Sequence, residues 1–351
     1  MWRLDVFGDV AGAWVQLLFG WLLAVFVLML PMVLLRDALW LPLRLLGSGA
    51  RWRAFLHGMG LARAIAMASV LLATVGVANG LKPPQVRERE LALQTLPPEL
   101  DGLRVAVLAD IHASPVKGAW RTQRIVDDVL AAKPDLIVLP GDMVDGPVAG
   151  NAVNVAALAA LQAPHGVWLA PGNHEYYSDY AAWMAHFRQM GLGVLENQTA
   201  TLDIKGRTLA VSGVGDPAFH RGGLARGGIA PDIPAVARQA RGSDFHLLLA
   251  HQPKLAGEAA ASGAVTLQVS GHTHGGHILG MDRWLVAPFN DGYVRGDYRV
   301  GAMTLYVSPG AGQWDGFSAR LGVPASIDVL VLRRDDRARP SAQPPSRRQR
   351  R

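Results

Sequence analysis

Between residues 110 and 274 the chain repeatedly sets carboxylates, imidazoles and one amide beside glycine. The clusters are Asp110 with His112, Asp142 with Asp145, Asn173 with His174, the single His251, and His272 with His274. These groups are ligands for hard or borderline divalent ions, and no thiolate accompanies them. Seven of them, Asp110, His112, Asp142, Asn173, His251, His272 and His274, exceed what one ion needs once water is counted. They suit two ions sharing a bridging carboxylate. Two ions roughly 3.5–4 Å apart can clamp a phosphate, acidify a water and stabilise both the attacking and leaving oxygens of an in-line displacement. His174, adjacent to Asn173, can protonate the leaving group, and Asp145 can orient its imidazole. The expected cofactor is therefore a pair of divalent ions drawn from Mn, Fe, Zn, Ni or Co.

Such groups must be brought together by the elements that precede them. Strands are expected at Arg104–Ala109, Leu136–Leu139, Val167–Ala170, Leu247–Ala250 and Thr266–Val269, and each polar cluster follows one of them directly. Amphipathic helical patterns lie between, at Trp120–Ala132, Asn151–Leu161, Tyr177–Met190 and Lys254–Ser262. The alternation indicates an α/β domain. Loops leaving the carboxyl ends of its strands gather on one edge. Strand-like pairs over 201–214 and closing stretches at Thr304–Val307 and Ile327–Leu332 add a second, partly antiparallel set. A single D-x-H or isolated histidine is ordinary, and His57, His165, His186, His220 and His246 read as core or surface residues. The ordered set of five post-strand clusters is what carries the signal.

ADIH (109–112), GDMVDG (141–146), GNHE (172–175), HQP (251–253) and GHTHGG (271–276) resemble the five motifs of the calcineurin-like metallophosphoesterases. Their contexts APGNHEYY, LLLAHQPK and SGHTHGGHI are most similar to a bacterial membrane-associated branch. That branch includes phosphodiesterases and UDP-2,3-diacylglucosamine pyrophosphatase-like enzymes. The resemblance covers residues 103–332 and implies a four-layer α/β/β/α sandwich. It implies that Asp110, His112, Asp142 and His274 hold one ion and Asp142, Asn173, His251 and His272 the other, with Asp142 bridging. His174 becomes the catalytic histidine, paired with Asp145. Gly146 replaces the arginine of phosphoprotein phosphatases, which argues against that activity. His277 stands where the branch often has Gln, and Arg320 matches the arginine of its closing glycine loop, so both are candidate substrate contacts. Ser326 replaces an acidic residue often found there. Over 213–232 a Gly/Arg-rich loop offers Arg221 or Arg226 to a substrate phosphate, or is simply solvated.

Two N-terminal stretches point to a membrane. Ala13–Leu35 is 23 residues long with one Gln and no charge, enough to cross a hydrocarbon core of ~30 Å. Leu56–Ala78 spans only if Arg63 snorkels; otherwise it lies in the interface with Arg51, Arg53 and Arg63 facing headgroups. Arg36, Arg44, Arg51 and Arg53 follow the first helix against Asp37 alone, which places that connection in the cytoplasm. Two spans put the later domain on the outer face of a bacterial inner membrane, and one span leaves it inside; the two-span arrangement is preferred. The organisation expected is an anchor (1–80), a proline-rich linker (81–102), the phosphoesterase domain (103–332) and an Arg-rich tail (333–351).

Composition narrows the rest. The absence of cysteine excludes disulfide scaffolds, thiolate metal sites and cysteine nucleophiles. The net charge of +6 resides wholly in the tail, whose eight Arg and two Asp leave equal numbers of basic and acidic residues elsewhere. With no RNA- or DNA-binding module beside it, the tail implies no specific nucleic acid. The expected partners are membrane lipid and a phosphate-ester or pyrophosphate substrate, and no protein partner is predicted. A phosphomonoesterase, a nucleotide phosphodiesterase, and a membrane scaffold with a vestigial metal site are the competing functions.

Overall fold

A computed structural model of the chain describes residues 8–45, 49–221 and 227–335. It opens with α1 (Gly8–Leu45), a short α2 (Gly49–Leu56) and α3 (Met59–Leu81). α1 is longer than the apolar run that predicts it and contains Pro31 and Pro42. α3 lies against α1: Trp21 Nε1 donates to Thr74 Oγ1 at 3.1 Å, and Ser69 Oγ to Met32 Sδ at 3.7 Å. The stretches Gly12–Leu45 and Gly49–Leu81 are each long and apolar enough to cross a membrane. Their outer faces leave Phe19, Phe26, Leu30, Leu34, Met67 and Leu71 exposed, where a core helix would bury them. Lipid is the solvent such a surface fits, so the pair associates the chain with a membrane.

The next elements are β1 (Gln85–Leu93), β2 (Arg104–Val107), α4 (Gly118–Ala131), β3 (Leu136–Pro140), α5 (Val148–Val155), β4 (Val167–Ala170), α6 (Asn173–Tyr177), α7 (Tyr180–Gln189) and β5 (Gly193–Val194). They are followed by β6 (Gln198–Ile204), β7 (Arg207–Gly213), α8 (Ile233–Gln239), β8 (Phe245–Leu249), α9 (Ala256–Ala261) and β9 (Leu267–Ser270). α10 (Asp282–Leu285), β10 (Gly296–Val300), β11 (Met303–Val307) and β12 (Ser326–Arg334) complete the described chain. Two six-stranded sheets result, ordered β1-β12-β2-β3-β4-β5 and β10-β11-β9-β8-β7-β6.

Strand alternation builds the layers. Val105, Val107, Leu136 and Val138 of the first sheet meet Leu209, Val211, Leu247, Leu249, Leu267 and Val269 of the second in one buried core. The opposite face of the first sheet, with Ala106, Ile137 and Leu139, packs under Ile125, Val126, Trp183 and Phe187 from its helices. Leu248, Leu305 and Val307 of the second pack under Ile233, Val236, Ala256 and Ala259. The result is the expected four-layer α/β/β/α sandwich.

Three boundaries differ from expectation. The segment read as linker contributes β1, which pairs in parallel with β12 from Gln85↔Ser326 to Leu93↔Arg334. Arg333 and Arg334 accordingly belong to β12 rather than to a tail, and residues 336–351 lie outside the described residues. The helix expected at Tyr177–Met190 is α7, which starts three residues later because Asp179 caps it by accepting from the Ala182 amide at 3.4 Å.

His246 on β8 is a buried histidine remote from the polar clusters, its Nε2 2.7 Å from Ser212 Oγ. Burial disfavours its charge and lowers its pKa from 6.5 to about 4. A folded pKa below the unfolded one contributes stability that is present above pH 6.5 and lost as pH falls towards 4. His246→Gln in detergent-solubilised protein is expected to reduce the acid-induced loss of unfolding free energy between pH 7 and 4 by about 2–3 kcal/mol. Identical pH slopes for the two proteins in denaturant titrations would contradict this.

Candidate metal centre

The carboxyl ends of β2, β3 and β4 in one sheet and of β8 and β9 in the other face a common cleft. Three groups of ligand atoms form there, each with its atoms within 4.8 Å of one another: Asp110, His112 and His274; Asp142, His251 and His272; and His112, Asp142 and His174. Asp142 belongs to the second and third groups and approaches His112 of the first. Its Oδ2 is 3.1 Å from His251 Nε2, 3.5 Å from His112 Nε2 and 4.0 Å from His174 Nε2. Asn173 Oδ1 is 3.1 Å from His251 Nε2.

The backbone bends sharply to deliver these side chains. Asp110 (φ 54), His112 (φ 47), Asp142 (φ 59), His272 (φ 72) and His274 (φ 49) are all left-handed, at a cost of about 1–3 kcal/mol each. Strain of this kind survives only where surrounding contacts fix it. At Gly141 (φ +90) a Cβ would stand 2.5 Å from the Gly172 amide nitrogen, so the β3 and β4 loops approach closely only because both residues are glycine. Glu175 locks that approach, accepting from the amides of Met143 and Gly172 at 2.7 Å each and of Asp142 at 3.1 Å.

Hydrogen bonds also fix which imidazole nitrogen faces the centre. His251 Nδ1 donates to the Pro140 carbonyl at 2.8 Å, turning Nε2 towards Asp142 and Asn173. Asp145 Oδ1 accepts from His112 Nδ1 at 2.8 Å and from His174 Nδ1 at 2.7 Å. It thereby aims both Nε2 atoms inward. His112 Nε2 is buried and has no hydrogen-bond partner. Burial opposes charge on His174 and His251, but Asp142, with Asp145 beside His174, outweighs it and raises them to about 9 and about 10. Burial lowers His272 to about 3 and His274 well below its usual value, leaving neutral rings with free electron pairs. Burial raises Asp110. Two buried carboxylates, the neutral imidazoles of His272 and His274 and the orphaned Nε2 of His112 form a donor set that fits divalent cations of the N/O-preferring class.

Residues 103–276 match the family described as calcineurin-like phosphoesterase. A transmembrane protein with metallophosphoesterase domain from Danio rerio is 32% identical over 273 residues, covering 76% of this chain and 61% of that protein. An uncharacterized metallophosphoesterase of Campylobacter jejuni is 32% identical over 267 residues, covering 76% of this chain and 67% of its own length. The chain belongs to the calcineurin-like phosphoesterases. Matches to the Danio rerio protein and its Bos taurus counterpart, also 32% identical, each span 61% of the relative's length. The family uses a dinuclear metal centre, and the residue groups above are this chain's candidates for it.

The remaining predicted residues divide. Arg320 is buried, and its guanidinium donates to the carbonyls of Gly312 at 2.6 Å, Pro309 at 2.7 Å and His274 at 3.2 Å. Its Nη2 lies 3.4 Å from His274 Nδ1, so it braces a candidate ligand. His277 is half-buried, its ring between those of His274 (4.9 Å) and Phe317 (4.8 Å). Arg221 is exposed and hydrogen-bonds Tyr177, whose ring lies 5.5 Å from that of His174. Arg226 lies outside the described residues.

Sequence reading missed Glu175 as a brace, although it ends the GNHE motif. It also missed the buried Lys117–Asp315 pair. Lys117 Nζ is 2.6 Å from Asp315 Oδ1, 2.8 Å from the His112 carbonyl and 3.8 Å from Asp145 Oδ2. A lysine five residues beyond His112 was the one available signal, and its partner is 198 residues away.

The loop carrying Asp315 and Arg320 is also where the anchor docks. The Arg320 amide donates to the Gly76 carbonyl at 2.9 Å, and Asn79 Nδ2 to the Arg320 carbonyl at 3.4 Å. Arg121 donates to the carbonyls of Leu81 at 2.6 Å, Lys82 at 2.7 Å and Ala311 at 3.2 Å. Leu17, Ala24, Ala73 and Val77 of the helices share a buried cluster with Ile278 and Ala319.

Proposed function

We propose that the protein is a membrane-anchored dimetal phosphoesterase that hydrolyses a phosphodiester or pyrophosphate bond in a lipid-linked or membrane-proximal substrate. The observation that carries this reading is the single loop that joins the anchor to the metal ligands. Arg320 binds α3 through its backbone and His274 through its side chain. The motif contexts support a finer assignment, to the pyrophosphatase-like membrane branch.

In this reading Asp110, His112, Asp142 and His274 hold one divalent ion and Asp142, Asn173, His251 and His272 the other. When bound, the ions supply Lewis acidity to the phosphoryl oxygens and acidify water. The protein's own groups do the rest. Asp142 Oδ2 stands between the two ligand groups as the shared carboxylate. Asp145 accepts His174 Nδ1–H, so the transferable proton sits on Nε2, where it faces the cleft and can pass to the leaving oxygen. Arg221, steadied by Tyr177 at the margin, contacts a substrate phosphate. Arg36 and Arg44 near the end of α1 and Arg51 and Arg53 in α2 would stay cytoplasmic, with the domain on the outer face of a bacterial inner membrane.

The test is purified full-length chain in nanodiscs with Mn²⁺, offered a diacylglycerol-linked nucleoside diphosphate, a cyclic nucleotide and an aryl phosphomonoester. The lipid pyrophosphate is expected to have the highest kcat/KM, by at least about tenfold, or 1.4 kcal/mol. Equal or faster turnover of the cyclic nucleotide or the monoester would replace this reading with the corresponding soluble-substrate one. No turnover of any substrate, together with no bound metal, would leave the scaffold.

A further inference from the structure

Immediately after the His272–His274 loop, residues 279–289 present an apolar surface that no described part of the chain covers. Trp284 is 80% exposed, Phe289 76%, Leu279 60% and Leu285 45%. Isolated exposed apolar residues are ordinary, but four within eleven positions, two of them aromatic, form a patch.

Its position decides what covers it. Ile278 and Met281, at the start of the same segment, turn inward and pack in the cluster that Leu17, Ala24, Ala73 and Val77 of α1 and α3 form. The Leu279 amide donates to the Leu321 carbonyl at 2.9 Å, and Leu321 belongs to that cluster too. The patch therefore begins directly beside residues that pack on α1 and α3. Arg283 is exposed within it, while Asp282 is paired with Arg295 at 2.6 Å and the exposed Asp291 follows at its edge, so among the described residues the patch offers one unpaired arginine beside apolar side chains. Tryptophan beside leucine, phenylalanine and arginine is the composition of a lipid–water interface. Anionic headgroups add attraction to the arginine.

We infer that Leu279, Trp284, Leu285 and Phe289 form a third membrane contact, seated in the interfacial layer of the bilayer that α1 and α3 cross. The seat is rigidly joined to the metal centre. Arg295 Nη1 donates to the Gly275 carbonyl at 2.6 Å as well as holding Asp282, and Gly275 follows His274 directly. The inference rests on the membrane-anchored reading above, and it fixes the height of the cleft at the headgroups.

The chain has no cysteine, so one introduced thiol carries a unique label. Trp284→Cys, Phe289→Cys, Leu30→Cys on the exposed face of α1 and Lys205→Cys in the β6–β7 turn are each labelled with an environment-sensitive fluorophore. All are made in the full chain in liposomes containing headgroup-nitroxide or acyl-chain-nitroxide lipid. Labels at 284 and 289 are expected to be quenched by the headgroup nitroxide, the label at 30 by the acyl-chain nitroxide, and the label at 205 by neither. If 30 is quenched and 284 and 289 behave like 205, this inference fails and the anchor stands. If 30 is also unquenched, the membrane reading itself fails. Shielding of 284 and 289 from an aqueous quencher without any lipid quenching assigns the patch to a second protein copy and overturns the inference.

Discussion

Asp142→Asn is expected to lower kcat/KM for a soluble aryl phosphodiester by roughly a thousandfold or more, about 4 kcal/mol of transition-state stabilisation. The substitution keeps shape and removes charge. The amide oxygen of the new side chain could still accept the His174 amide hydrogen that Asp142 Oδ1 accepts at 2.8 Å, so the loop geometry has no reason to change. What disappears is the anionic Oδ2, which is 3.1 Å from His251 Nε2 and 3.5 Å from His112 Nε2. Asp142 is the carboxylate common to the group with His251 and His272 and the group with His112 and His174. Metal content per chain should fall in parallel, measured by mass spectrometry on dialysed protein. Activity within about tenfold of wild type would refute the role of Asp142 as shared ligand.

The second large effect is expected from the anchor. A Cβ at Gly80 would overlap the Ser318 carbonyl oxygen and the Gln313 side chain, and one at Gly76 would stand 3.2 Å from Ala319 Cβ. Gly80→Leu must therefore displace the 313–320 loop, at an overpacking cost of about 1–3 kcal/mol. That loop holds Asp315, which pairs with Lys117 beneath Asp145, and Arg320, which braces His274. Turnover of a soluble phosphodiester is expected to drop at least about tenfold, with membrane insertion unchanged. Gly60→Leu is the matched control, because it lies on the same helix with nothing within 4 Å of its Cβ direction. If both variants retain wild-type turnover in detergent, α1 and α3 are a tether and contribute nothing to the centre.

The candidate ligands were legible in the sequence because each follows a short apolar run that could only be a strand, and their chemistry is uniform. The layers were legible for the same reason. β1 was not. QVRERELAL reads as a charged linker between prolines, yet as an edge strand it needs only Leu91 and Leu93 turned inward while its charges face water. The bracing role of Arg320 was not legible, because the resemblance of its loop offered it as a substrate contact while the carbonyls that hold it come from Pro309, Gly312, Val323 and the remote His274. Lys117 and Asp315 illustrate the same limit, since a long-range ion pair leaves no periodic trace in either neighbourhood.

Three residues, Lys82–Pro84, separate the end of α3 from the start of β1, a reach of roughly 10 Å even fully extended. With Arg121 gripping that segment, the domain cannot swing into bulk solvent. A hydrolase held so close works in two dimensions. For the lipid-linked substrate proposed above, turnover would follow its mole fraction in the bilayer rather than its bulk concentration, and added inert lipid would slow it by surface dilution alone.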